Sequence, residues 1–288
     1  MIGRRLGFEV GARISKKLTV LGVVDKGGEE PVYIVWHHEA WCPMACKVFR
    51  SSRRAAREAK ILSTFAHPNI VRFLDLDKPA YLLTEFLEGP ILSRLIRSRP
   101  QKRLSISDAL RVTIHLGAAL EHVHLKGFLH LDVKPYNVII APGGRPILYD
   151  FGSARRQGGP RPPLVAGTDP YIAPEECLRE TVTPAADVFG LGATLYEMLT
   201  GELPFREGNR RTPFPQTKER PVSVRSHQPG VPVGLDDLVL ACLARDPDSR
   251  PMLGALLPDL HRFVRGGPRM WPLGFRPEET AETGRSRD

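Results

Sequence analysis

Cysteine is scarce in this chain, with four in 288 residues. None stands in a CxxC spacing, so neither a disulfide framework nor a thiolate metal cluster is expected. Cys42, Cys46, Cys177 and Cys242 read as reduced, buried thiols, the first two on one side if their segment is a strand. No stretch approaches the roughly 18 consecutive apolar residues of a membrane span. The opening MIGRRLGFEVGARISKK has no apolar centre of the kind a signal peptide needs, so the expected location is cytoplasmic. Aromatic residues make up only 7%. The net charge of +9 is scattered over residues 53–60, 94–103, 155–161 and 210–220 instead of forming a stripe interleaved with aromatics, which argues against nucleic acid as a partner. It reads as a solvated exterior or a surface favouring acidic partners. Internal repeats are missing too. What remains, 42% hydrophobic and 25% charged, is an ordinary globular composition long enough for a sizeable core.

Against that background one window stands out: His130 to Asn137, HLDVKPYN, followed by Asp150-Phe151-Gly152. Moving a terminal phosphoryl group from a nucleotide to a hydroxyl needs a base near the acceptor, divalent metal on the phosphates and cations on the developing charge. Asp132 can act as the base and Lys134 as the cation. Asn137 and Asp150 offer hard oxygen ligands of the kind Mg²⁺ takes in small number, alongside phosphate oxygens and water. Each residue alone is ordinary; their conjunction between two apolar runs points to phosphoryl transfer.

These residues resemble the catalytic loop and DFG segment of the eukaryotic-type (Hanks-type) serine/threonine protein kinases. The rest of the chain is similar to that family in the same order. Met44-Ala45-Cys46-Lys47 resembles its VAIK strand, which implies Lys47 on the α- and β-phosphates and Ala45 over the adenine. Glu58, in the run RRAAREAKIL, matches the helical glutamate that pairs with that lysine, and HPNIV follows at 67–71. Thr84 resembles the gatekeeper, with the backbone of Glu85 and Leu87 holding the adenine edge; Gly27, Gly28, Val32 and Ile139 complete the implied ATP site. Gly167-Thr168 and Ala173-Pro174-Glu175 match the end of the activation segment. Asp187 matches the aspartate bracing the catalytic loop, Arg250 the buried partner of Glu175, and Thr168 a structural contact of Asp132 and Lys134. The resemblance implies an α+β, bilobal protein-kinase fold: a small antiparallel-sheet N-lobe with one helix, and a larger, mainly helical C-lobe, with ATP and Mg²⁺ (or Mn²⁺) bound between them. It also implies protein substrates with Ser or Thr acceptors, because Lys134 and the GTxxYxAPE form at 167–175 are of the serine/threonine type. The excess of Arg over Lys places the chain among bacterial members; its oligomeric state is left open.

The expected organisation is a basic lead-in at 1–17, a kinase domain at 18–263 divided near 87/88, and a flexible tail at 264–288. Strands are predicted at 18–24, 32–38, 42–49 and 81–87, the last running into the hinge. A long helix over 107–127 is predicted to open on Ser107 and close on Gly127. His115, His122 and His124 on it lack an i, i+4 metal spacing and are read as packing or solvent contacts.

Three departures from the family pattern bear on function. Where the phosphate loop should read GxGxxGxV, residues 25–32 are DKGGEEPV, keeping only the middle glycine, Gly27. Asp25 and Glu30 take the outer positions, bringing bulk and negative charge toward an anion unless they turn outward. This favours, as the alternative to an active kinase, a nucleotide-binding or scaffolding pseudokinase. Leu131 replaces the arginine that captures an activation-segment phosphate, and residues 154–167 contain no Ser, Thr or Tyr to carry one. The two absences together predict activity independent of activation-loop phosphorylation. Finally, only eleven positions separate Lys47 from Glu58, which predicts a shortened start to the helix but an intact ion pair.

Overall fold

The computed structural model describes residues 7–25, 30–78, 80–159, 169–206, 208–209 and 211–264. The chain divides between Glu88 and Gly89 into two compact units.

The first unit is built on β1 (Leu18–Asp25), β2 (Val32–His37), β3 (Cys42–Val48), α1 (Ser52–Leu62), β4 (Phe73–Asp77) and β5 (Tyr81–Glu85). The strands form one antiparallel sheet in the order β1-β2-β3-β5-β4. Period-two alternation decides the faces. Tyr33 and Val35 of β2 and Met44, Cys46 and Val48 of β3 point into one core with Leu18, Val20, Tyr81 and Leu83. The sequence leaves residues 1–17 outside the domain, yet 7–17 lie against this core. The Phe8 ring is 5.5 Å from that of Tyr33, Arg13 bridges to Thr19, and Ser15 Oγ donates to Asp77 Oδ2 at 2.7 Å. The opposite face carries Leu82 into a second cluster with Ala55 and Ala59 of α1. That helix starts where Ser51 accepts a hydrogen bond from the Arg54 N–H, and it buries Ala55, Glu58, Ala59 and Leu62, an i, i+3, i+4, i+7 stripe, with Ile61 beside them. β4 escapes notice in the sequence because Asp75 and Asp77 interrupt its apolar content at a half-exposed sheet edge.

The second unit contains α2 (Leu92–Ser98), α3 (Ile106–Leu125), β6 (Phe128–Leu129), β7 (Val138–Ala141), β8 (Arg145–Leu148), β9 (Arg155–Arg156), α4 (Pro174–Cys177), α5 (Ala185–Thr200), α6 (Val224–His227), α7 (Val233–Cys242) and α8 (Leu253–His261). α3 opens on Ser105, whose hydroxyl accepts from the Asp108 N–H at 3.1 Å, so the cap is Ser105 and not the predicted Ser107. The earlier serine wins because it alone is extended while its side chain reaches the N3 amide. α5 is buried from Ala186 to Thr200, which makes it the core helix of this unit. Two glycines let helices meet closely. A Cβ on Gly117 would fall 2.3 Å from Leu257, and one on Gly192 2.5 Å from Cys242. A small sheet-plus-helix unit followed by a mainly helical one is the α+β, bilobal arrangement that the sequence resemblance implies. No helix among the described residues is long and apolar enough to cross a membrane.

Candidate active site

The loop carrying Asp132 is held from two sides. Asp187, on the first turn of α5, accepts the backbone N–H of His130 at 2.9 Å and of Leu131 at 2.7 Å, and its Oδ2 lies 2.7 Å from Nε2 of His124. Burial alone would raise this carboxyl. The hydrogen bond and charge of His124, with the backbone hydrogen bond from His130, outweigh it and hold Asp187 below the usual carboxylate range. The same contacts fix Leu131 in the left-handed region, φ 61°, where a leucine is strained. His130 is fully buried, its ring edge-on to Phe151 at 4.7 Å, and desolvation lowers its pKa. Its Nδ1 accepts the Asp132 N–H at 3.3 Å. Nothing in the spacing of the α3 histidines indicates that His124 is the partner of Asp187; it is neither a packing filler nor a solvent contact.

Asp132 sits among donors. Lys134 Nζ lies 2.8 Å from each of its carboxylate oxygens, and Asn137 Nδ2 donates to its Oδ2 at 2.7 Å and its carbonyl at 2.8 Å. The amide nitrogen of Asn137 being engaged there, its side-chain oxygen is the hard donor it can offer a cation, which fits a divalent metal. Asp150 is brought to the same end of the unit by strand pairing. β7 begins at Val138 and pairs with β8 ending at Leu148, and the Tyr149 N–H donates to the Asn137 carbonyl at 3.0 Å. Asn137 and Asp150 therefore flank the open end of one hairpin. Asp150 also has positive φ, 63°, and its Oδ1 accepts from the Gly152 N–H at 3.2 Å. Ile139 lies half-buried on β7, opposite Ile147.

In the first unit Lys47 Nζ is 3.0 Å from both oxygens of Glu58, a pair that forms although α1 starts only at Ser52. Val32 pairs with Lys47, and Ala45 with Ile34 and Thr84, so these residues share one half-buried face of the sheet. The Glu85 N–H is committed to the Arg72 carbonyl at 3.0 Å, so Glu85 can present at most its own carbonyl to an adenine edge. Leu87 follows β5 in the connecting segment. The sequence does not reveal that Glu30 turns inward. Its side chain is 10% exposed, 3.5 Å from Lys47 Nζ and 3.2 Å from Arg54. Glu30 stands two positions before Val32, the residue that pairs with Lys47 at the start of β2. Gly27, Gly28 and Thr168 lie outside the described residues.

Glu175 and Arg250 form a bidentate pair with both contacts at 2.7 Å and almost no exposure. Beside them Glu176 is buried, with Arg155 at 3.8 Å. Burial first, then the charge of Asp187, push its pKa up to about 8 against the opposing effect of Arg155. Because the folded value is raised, the stability this group contributes is complete below its ordinary 4.5 and is lost as pH rises to about 8. Glu176→Gln is expected to flatten the fall in melting temperature over that window. Scanning calorimetry across it, giving superimposable curves for variant and parent, would refute the assignment.

The protein kinase domain model matches residues 18–260. The chain is 30% identical to the serine/threonine-protein kinase PknA of Mycobacterium tuberculosis over 96% of its own length and 67% of that protein's. The chain belongs to the bacterial serine/threonine protein kinase family. It is also 30% identical to PrkC of Bacillus subtilis, over 84% of this chain and 39% of PrkC, and 35% identical to PkaA of Streptomyces coelicolor, over 74% of this chain and 40% of PkaA. It thus spans well under half the length of two of these relatives. The kinase family uses ATP and a divalent metal, and the side-chain oxygens of Asn137 and Asp150 are hard donors of the kind such a metal takes.

Proposed function

We propose that the chain is a protein kinase transferring the γ-phosphoryl group of ATP to Ser or Thr hydroxyls of protein substrates, with its catalytic domain at 18–263. The carrying observation is Asp132 held on both oxygens by Lys134 and on one by Asn137. In this reading Asp132 orients the acceptor hydroxyl and takes its proton, while Lys134 offsets charge on the transferred group. Asn137 and Asp150 would hold Mg²⁺, or Mn²⁺, and a divalent ion there would neutralise phosphate charge. Lys47, braced by Glu58, takes the α- and β-phosphates. The backbone of Glu85 and Leu87 meets the adenine, Ala45, Val32 and Ile139 line it, and Gly27 and Gly28 approach the phosphates. Thr168 acts structurally on Asp132 and Lys134. Free cysteines agree with a reducing, cytoplasmic setting.

The same reading makes activity independent of a phosphate on the activation segment, supported by Leu131 in place of an arginine and by the strained conformation Asp187 imposes on it. Radiolabelled ATP with a generic protein substrate should give phosphoserine or phosphothreonine, with mass spectrometry finding residues 153–168 unmodified in the active enzyme. A phosphorylated Thr168 that switches activity on would refute the second half. One observation favours a non-catalytic nucleotide-binding module instead, namely Glu30 beside Lys47. Its signature is no transfer at all while ATP still raises the melting temperature.

A further inference from the structure

Glu58, Lys47, Glu30 and Arg54 form a chain of alternating charge: 3.0 Å from Glu58 to Lys47, 3.5 Å from Lys47 to Glu30 and 3.2 Å from Glu30 to Arg54. Three of its members are largely withdrawn from water, with side-chain exposures of 5% for Glu58, 17% for Lys47 and 10% for Glu30, whereas Arg54 is 59% exposed. Low exposure raises the effective strength of each pairing and of any repulsion. The Glu58 carboxylate grips Lys47 through both oxygens, from a helix that also packs its neighbours Ala55 and Ala59 against the sheet. Glu30 is different: it approaches Lys47 with one oxygen at a longer distance while its other oxygen faces Arg54. It is the weaker and more replaceable ligand of the lysine.

We infer that Glu30 is a built-in competitor for Lys47 and sets the affinity of this kinase for nucleotide phosphates. This rests on the reading of Lys47 as the phosphate ligand. A polyphosphate arriving at Lys47 meets a carboxylate already there, and two anions cannot share that ammonium without mutual repulsion. Arg54 supplies the alternative. The carboxylate can stay paired by moving wholly onto the exposed guanidinium, so displacement costs one ion pair and leaves no buried unpaired charge. Binding is then tuned by the balance of two cations for one carboxylate, a tuning that acts on phosphate-bearing ligands and not on the base or ribose.

The test is displacement of a fluorescent ATP analogue from the whole chain by ATP, ADP and adenosine, in the presence of Mg²⁺. Glu30→Gln is expected to bind ATP and ADP about three- to tenfold more tightly than the parent, with adenosine unmoved. Arg54→Met should weaken ATP and ADP binding, because Glu30 loses its second partner, and Glu30→Gln combined with Arg54→Met should match Glu30→Gln alone. Equal or weaker ATP binding by Glu30→Gln, or an equal shift for adenosine, overturns the inference. Lys47→Met separates the two levels. If it keeps full ATP affinity, the role given to Lys47 fails and this inference with it. If it reduces ATP to the affinity of adenosine while Glu30→Gln gains nothing, only the role of Glu30 fails.

Discussion

Asp132→Asn is expected to lower phosphoryl transfer by about 10²- to 10⁴-fold, the range typical of losing a positioned general base. The substitution keeps shape and removes basicity. It also places an amide NH₂ where Lys134 and Asn137 now donate, so one donor must turn away from another. The backbone of the loop should hold nonetheless, since Asp187 grips the N–H groups of His130 and Leu131, and Asn137 also donates to the Asp132 carbonyl. Initial rates with radiolabelled ATP, measured beside the ATP-induced rise in melting temperature, separate chemistry from binding. A variant within tenfold of the parent rate would remove Asp132 from the role of base.

Arg250→Ala is expected to cost about 3–5 kcal/mol of stability, as when one partner of a buried ion pair is deleted. Both side chains are essentially inaccessible, 0% for Arg250 and 1% for Glu175. The guanidinium also donates to the carbonyls of Ala185 at 2.9 Å, Ala244 at 2.8 Å and Arg245 at 3.1 Å, and it lies over the Phe189 ring at 5.1 Å. Its loss therefore removes a donor from a buried carboxylate and from three carbonyl groups together. For a unit of this size roughly 2–4 °C per kcal/mol translates the cost into about 6–20 °C of melting temperature. Glu175→Gln should cost less, because it keeps an acceptor for the guanidinium and removes the charge. Thermal denaturation of the two variants gives the comparison, and a milder effect for Arg250→Ala than for Glu175→Gln would contradict it.

Much of this site can be read in the sequence because its members are close along the chain. Asp132, Lys134 and Asn137 span six residues, so their meeting needs only a local turn. Lys47 and Glu58 sit on a strand and the helix that follows it, and their pairing survives a short connection because α1 begins as soon as Ser51 caps it. Asp187 and Arg250 each meet residues far away in the chain, and both are recognisable through family likeness and not through any local pattern. The packing of residues 7–17 on the first sheet is harder to see, since it depends on one aromatic, Phe8, finding Tyr33 across twenty-five positions.

By itself the sequence determined the family, through motifs that stand in the family's order, and most strands of the first unit and the long helix of the second, because alternation, capping and short-range spacing are encoded residue by residue. Tertiary structure alone decided which charges meet at a distance: His124 with Asp187, Arg155 with Glu176, and Glu30 with Lys47. The physical reason is that an ion pair depends on register and crossing geometry, which many separate packing contacts fix together. A glutamate in the phosphate loop can face water or face a lysine with the same neighbours in sequence. Here it faces Lys47 and Arg54.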